Sequence, residues 1–265
     1  MIQEFLEYQA KNKGLAEQSV EGYRKELKAF TRWASPRGLR WSTLTSKDVD
    51  AYVRDEQERG MKPRTIKKRV ETLRLLYNWA NHQGLLTENP ARYTQTPKWG
   101  EELPKAADEQ RIIEYIDSPA TTREGMLVHA IVTLIYETGM RIGEVTSMRG
   151  TDIDTEQHTI RLTGKGNVER VVLYGKRFER YAEMMSKNHR IIFYENQETY
   201  RYMMYRELPG VNPHAIRHTF ACSQLGKGMP LKSVSTLMGH KHIETTEIYA
   251  RLSLDNIKNQ YQQIN

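Results

Sequence analysis

"HTIRLTGKGNVERVVLY", residues 158–174, is where the chain stops reading as helix. Ile160 and Leu162 alternate with polar neighbours on one side of Gly164-Lys165-Gly166-Asn167, and Val171 and Leu173 alternate on the other. Two runs of period two about a glycine-containing turn specify a β-hairpin, with Lys165 at its tip. Elsewhere the apolar residues recur at helical spacing, so the fold class expected is mainly α with a small antiparallel β-hairpin sheet (α+β). A lysine on a hairpin tip ordinarily serves solubility; whether Lys165 does more depends on what surrounds it.

Upstream, in "LIYETGMRIGEV" (134–145), an apolar helix ends at Gly139, which suits a left-handed C-cap, and Arg141 opens the next helix with Glu144 three positions on. The helix dipole disfavours arginine at a helix start, so Arg141 is either simply exposed or placed for an anion. Downstream, "NPHAIRHTFA" (212–221) starts a helix at Pro213 and puts His214, Arg217 and His218 on one face, an array of donors, with Ile216 and Phe220 opposite. In "MGHKHIETTEIYA" (238–250), Thr245 lies one turn before Tyr249, and the apolar pair Ile248 and Leu252 runs beside it, which leaves the phenol packed but reachable.

With 265 residues and 38% hydrophobic content the chain can build one large domain or two medium ones. "TPKWGEELPKAADEQ" (96–110) carries three helix breakers and no apolar period. It is expected to place a linker at 99–106, between a helical domain at 1–98 and a second at 107–265. Residues 1–98 hold 19 Lys and Arg against 12 Asp and Glu; residues 99–265 hold 21 against 21. The whole excess of +7 therefore lies in the first part, which suits a module that grips a polyanion, although a solvated basic surface gives the same count.

Four helices are expected in that part, at about 2–12, 15–34, 46–59 and 63–83, the third opened by a Thr45–Asp48 capping box. In the fourth, Val70, Leu73, Tyr77 and Ala80 form the buried stripe, while Lys62, Arg64, Lys67, Lys68 and Arg69 crowd the N-terminal end. Basic groups at that pole of the dipole repel one another unless a phosphate sits among them, so these five are the expected phosphate contacts.

The longest apolar stretch, "MLVHAIVTLIY", has 11 residues and is too short to span a bilayer, and the N-terminal "MIQEFLEYQAKNKG" lacks the layout of a secretory signal. The single cysteine, Cys222, excludes an internal disulfide and a cysteine-rich zinc site. The expected location is the cytoplasm, with no membrane partner.

Attack on a phosphodiester needs a nucleophile, fixed cations for the charge that spreads over the non-bridging oxygens, and an acid for the departing alkoxide. Tyr249 fits the first, Arg141 and Arg217 the second through bidentate guanidinium contacts that require no metal, and Lys165 the third. His214 and His240 fit proton handling or polarisation.

"TGMRIGEV", "HAIRHTFA" and "MGHKHIETTEIYARL" resemble, in order and spacing, the three boxes of the tyrosine recombinases, or phage-integrase family. "LPKAADEQ" is similar to that family's interdomain linker, and the basic helical part to its core-binding domain. The resemblance implies that Arg141, Lys165, His214, Arg217, His240 and Tyr249 are the catalytic residues and that Glu144 supports them. It further implies two domains closing as a C-shaped clamp on duplex DNA, in the short two-domain form of the family. Strands would be cut to a 3′-phosphotyrosine and rejoined through a Holliday junction, with neither ATP, metal nor any other cofactor. A tetrameric assembly on paired sites is also implied.

The tail "LDNIKNQYQQIN" (254–265) spaces Leu254, Ile257, Tyr261 and Ile264 as an apolar stripe. It packs on its own domain or, as the resemblance suggests, docks in a neighbouring protomer as an exchange helix. Three other readings stand beside this one. They are a metalloenzyme using His214, His218, His240 and His242, a non-catalytic DNA-binding regulator on the same fold, and a type IB topoisomerase sharing the chemistry.

Overall fold

The computed structural model describes residues 1–98, 100, 106–163, 169–187, 193 and 196–239. Lys165, His240, Tyr249, the tail 254–265 and all of the linker 99–106 except Gly100 and Ala106 lie outside the described residues. The chain divides into two compact units, Met1–Glu101 and Glu102–Asn265.

The first unit holds four helices: α1 (Ile2–Lys11), α2 (Glu17–Ala34), α3 (Ser46–Glu58) and α4 (Pro63–His82). α3 starts where the sequence places its capping box. Asp48 Oδ2 accepts the Thr45 amide at 2.8 Å, and Thr45 Oγ1 accepts the Asp48 amide at 3.4 Å. α4 begins with Pro63, whose missing N–H falls among donors a helix start leaves unpaired anyway. Its residues Val70, Leu73, Tyr77 and Ala80 are buried as the 3.6-residue period requires. Leu73 joins a core built around Phe30, Trp33 and Tyr52, the Phe30 and Tyr52 rings meeting edge to face at 4.9 Å, and Val70 packs in a smaller cluster with Val53 and Ile66.

The second unit contains α5 (Glu109–Asp117), α6 (Arg123–Thr138), α7 (Ile142–Ser147), a three-stranded antiparallel sheet in the order β1 (Ile153–Asp154), β2 (Thr159–Thr163), β3 (Glu169–Leu173), then α8 (Lys176–Ser186), α9 (Gln197–Glu207), α10 (Pro213–Gly226) and α11 (Leu231–Met238). α6 is buried on every side from Val128 to Tyr136, and it is the pillar on which α5, α8, α9 and α10 pack. It stops at Gly139, in left-handed geometry with φ 66°. A Cβ there would stand 2.5 Å from the Phe220 ring, so glycine is required both by the turn and by the approach of α10.

The sheet corrects one expectation from the sequence. β2 and β3 pair as predicted, but Val171 and Leu173 face away from the core and are 54% and 59% exposed, whereas Val172 is fully buried with Ile160 and Leu162. The register explains this: Ile160 pairs with Val172 and Leu162 with Arg170, so even-numbered β3 residues share the inner face with even-numbered β2 residues. Since side chains alternate, a one-residue difference in phase swaps the two faces completely. β1 is two residues long, too short to leave a period in the sequence. Among the described residues no helix is long and apolar enough to cross a membrane.

Candidate active site

Three loops and helix ends of the second unit converge on the C-terminus of α11. The C-cap of α6 hands the chain to Arg141, the N-cap of α7. Glu144, one turn into α7, reaches back so that its Oε2 accepts the Arg141 amide at 2.7 Å, and its Oε1 accepts Arg141 Nη1 at 3.1 Å. Arg141 Nη2 then donates to the Gly239 carbonyl at 3.2 Å, while the side chain stays 43% exposed.

Arg217 behaves differently from the exposed donor expected on α10. It is 2% exposed, the largest fully buried side chain among the described residues. Its Nη1 donates to the Gly139 carbonyl and its Nη2 to the Met238 carbonyl at 2.7 Å. α10 is packed on most sides, because Ala215, Ile216, Thr219, Phe220 and Ala221 are buried with it. The cost of burying the guanidinium is offset by these carbonyls, which solvate the charge without neutralising it.

A third arginine, Arg170, joins them from β3. Its Nη1 and Nη2 fork onto Glu144 Oε1 and Oε2 at 2.6 and 2.8 Å, and its Nε donates to the Leu237 carbonyl at 3.2 Å. The carbonyls of Leu237, Met238 and Gly239 thus each accept from a different arginine. They form the negative end of the α11 dipole, where cations are stabilising. Burial by itself would raise the Glu144 carboxyl; the hydrogen bonds from Arg170 and from the Arg141 amide outweigh it and hold the group below its ordinary value.

His214 and His218 lie one turn apart on α10, ring centroids 4.7 Å apart and edge to face. Burial, then the positive charge of Arg217 and Arg141, lowers His214; burial, then His214 and Arg217, pushes His218 down to about 4. Both are therefore neutral imidazoles near pH 7, able to donate from one nitrogen and accept at the other. Among the described residues no group of three or more His, Cys, Asp or Glu is placed to hold a metal ion.

The structure thus brings Arg141, Glu144, His214 and Arg217 together, whereas Lys165, His240 and Tyr249 fall outside the described residues. The chain enters the segment carrying His240 and Tyr249 directly from Gly239. Arg170 carries no local signal in the sequence, because its place depends on the hairpin register, which composition does not reveal.

The basic cluster on α4 separates into two kinds of residue. Lys62 and Arg64 are exposed at the helix start. Lys67 lies near Glu71 at 3.7 Å, Lys68 pairs with the buried Glu26 at 2.9 Å, and Arg69 is held between buried Glu26 and Glu56. Arg69 belongs to the fold and is withdrawn from the expected phosphate contacts. Its helical phase signals this: positions 69, 72, 76 and 80 share a side of α4, and Thr72, Leu76 and Ala80 on it are buried.

The chain belongs to the phage integrase family: the family model matches residues 105–255, and the family's N-terminal SAM-like domain matches residues 2–84. It is 26% identical to tyrosine recombinase XerC of Bacillus licheniformis, over 97% of this chain and 93% of the relative. It is 27% identical to tyrosine recombinase XerD of Proteus mirabilis, over 99% and 92%. The fold is similar to the crystal structure of XerH site-specific recombinase in a post-cleavage complex with palindromic difH substrate, with TM-score 0.74 at 17% identity over 98% of this chain and 84% of that one.

Proposed function

We propose that this protein is a site-specific DNA recombinase that breaks and rejoins strands through a covalent 3′-phosphotyrosine. The carrying observation is the convergence of Arg141 and Arg217 on the carbonyls of Met238 and Gly239, at the point where the chain enters the segment bearing Tyr249. Likeness to the XerC and XerD recombinases over nearly the whole chain supports the same reading.

The Tyr249 phenol, whose ordinary pKa is about 10, loses its proton and forms a bond to phosphorus as the bond from phosphorus to O5′ breaks. Arg141 and Arg217 hold the non-bridging oxygens while negative charge grows on them. Lys165 protonates the departing O5′, and neutral His214, with His240, hydrogen-bonds the reacting phosphate. The free 5′-hydroxyl of a partner strand then attacks the phosphotyrosine in reverse, passing through a Holliday junction. The bond energy is kept in the protein–DNA link, so no ATP is consumed, and the arginines do the work a metal would do.

In this reading residues 1–98 form the core-binding module, with Lys62 and Arg64 near phosphate, and residues 107–265 the catalytic module. The partners are duplex DNA and further copies of the chain, four on a pair of sites in the cytoplasm, with the tail 254–265 exchanged between protomers.

A nicked suicide substrate tests the reading. Wild type should accumulate a covalent protein–DNA adduct in the presence of chelator, and Tyr249→Phe should bind the same DNA and form none. An adduct from Tyr249→Phe would overturn the assignment, and binding without any adduct from wild type would favour the non-catalytic regulator.

A further inference from the structure

Resting on that reading, the geometry points to Arg170 as a positioning residue that fixes how the chain leaves α11 toward Tyr249, through its simultaneous contacts with Glu144, the Leu237 carbonyl and Gly239.

Arg170 is 14% exposed and touches three separate elements from the inner face of β3. Its guanidinium fork holds both oxygens of Glu144 on α7, at 2.6 and 2.8 Å. A bidentate pair of this kind fixes orientation as well as distance. Its Nε donates to the Leu237 carbonyl in the last turn of α11. The guanidinium also lies flat against Gly239: a Cβ on that residue would sit 2.8 Å from Nη1, 2.9 Å from Cζ and 3.0 Å from Nε. Gly239 has φ 63° and is the C-cap of α11, so the direction in which the chain continues is set there.

The other two arginines cannot replace this contact. Arg217 reaches Met238 from α10, and Arg141 reaches Gly239 from the N-cap of α7, whereas Arg170 ties the hairpin to both α7 and α11 by side-chain hydrogen bonds. Because Glu144 holds Arg141 and Arg170 together, loosening one arm shifts the other. Arg170 has no part in bond making; its effect is to hold the exit at Gly239 in the geometry from which in-line attack is possible. Misplacing a reacting group by about 1 Å costs on the order of 100-fold in rate.

The test compares wild type, Arg170→Lys and Gly239→Ala in single-turnover adduct formation, alongside half-site binding and thermal unfolding. Lysine keeps a charge but cannot make the fork. Both variants are expected to bind the half-site within about threefold of wild type and to form adduct about 100-fold more slowly.

The same measurement on a substrate with sulfur in place of the 5′-bridging oxygen separates two routes of action. That leaving group needs no proton, so it relieves a defect in Lys165 and leaves a defect in tyrosine placement. The slow rate should persist with sulfur. Restoration by sulfur, or a rate equal to wild type, overturns the inference, as does a loss fully explained by weaker binding or a lower unfolding midpoint in both variants. If wild type itself forms no adduct, the recombinase reading fails and this inference fails with it.

Discussion

Two helices in this chain begin on the same plan with different residues. α3 starts at Thr45 with Asp48 three positions on, and α7 starts at Arg141 with Glu144 three positions on. In both, the carboxylate turns back to accept the N-cap amide, at 2.8 Å in α3 and 2.7 Å in α7. Thr45 returns the bond through its hydroxyl, which completes the box. A guanidinium has no acceptor to return, and its charge lies at the positive pole of the dipole. The helix start in the second unit is therefore the weaker one locally, and its cation is held against the Gly239 carbonyl at the end of α11.

Buried arginines differ between the units in the same way. Arg69 faces two buried carboxylates, Glu26 and Glu56, and its charge is cancelled within the fold. Arg217 donates to the backbone carbonyls of Gly139 and Met238, while Arg141 and Arg170 share the one carboxylate of Glu144. Backbone dipoles solvate charge in place without removing its field. Buried arginine is thus held by side-chain carboxylates in the first unit and by backbone carbonyls in the second.

The contrast breaks most readily at Arg69. Arg69→Met should leave Glu26 and Glu56 without their shared partner and destabilise the first unit by about 3–5 kcal/mol, the range for removing one member of a buried ion pair. Chemical denaturation would show it as a lower midpoint. Unchanged stability, with weaker DNA binding and a shallower salt dependence, would instead return Arg69 to the phosphate contacts and dissolve the distinction.

At Arg141 the expected effect falls on chemistry alone. Arg141→Thr should raise the barrier to adduct formation by about 3–4 kcal/mol, as for a lost transition-state donor. Stability should not fall, because threonine suits an N-cap better than arginine does. Single-turnover cleavage and calorimetry on the same preparation would read both. If cleavage survives, or if stability drops with it, Arg141 is a structural arginine like Arg69.

Much of this was legible in the sequence where a local rule decides the outcome. The four helices of the first unit, the Thr45 box and the Gly139 C-cap all follow from residues within a few positions of one another. The pairing of Arg141 with Glu144 was legible for the same reason. The inner face of β3 was not. Val171, Val172 and Leu173 are consecutive apolar residues, and only the pairing of Ile160 with Val172 decides which of them turns inward. Arg170 inherits its position from that register. The burial of Arg217 is not legible either, since it donates to carbonyls 78 residues earlier and 21 later, and backbone acceptors leave no trace in composition.

The smallest expected effect is at Thr45, and it sharpens the comparison of the two helix starts from the other side. Thr45→Ala removes the hydroxyl that accepts the Asp48 amide and that donates to Asp48 Oδ2 at 2.7 Å, while the backbone bond from residue 45 to Asp48 remains. Half of the box is lost, which leaves α3 with the arrangement α7 already has. The expected cost is about 1 kcal/mol of unfolding free energy, the usual worth of an N-cap side chain. The rate of adduct formation on bound DNA should stay at its wild-type value, because Thr45 is in the first unit and the chemistry is assigned to the second. Measured as unfolding free energies, Thr45→Ala and Arg141→Thr should have opposite signs, one removing a cap and the other supplying it. Equal signs would mean that Arg141 stabilises its helix start as well as a threonine cap does, through Glu144 and the Gly239 carbonyl, and that no local stability is given up there.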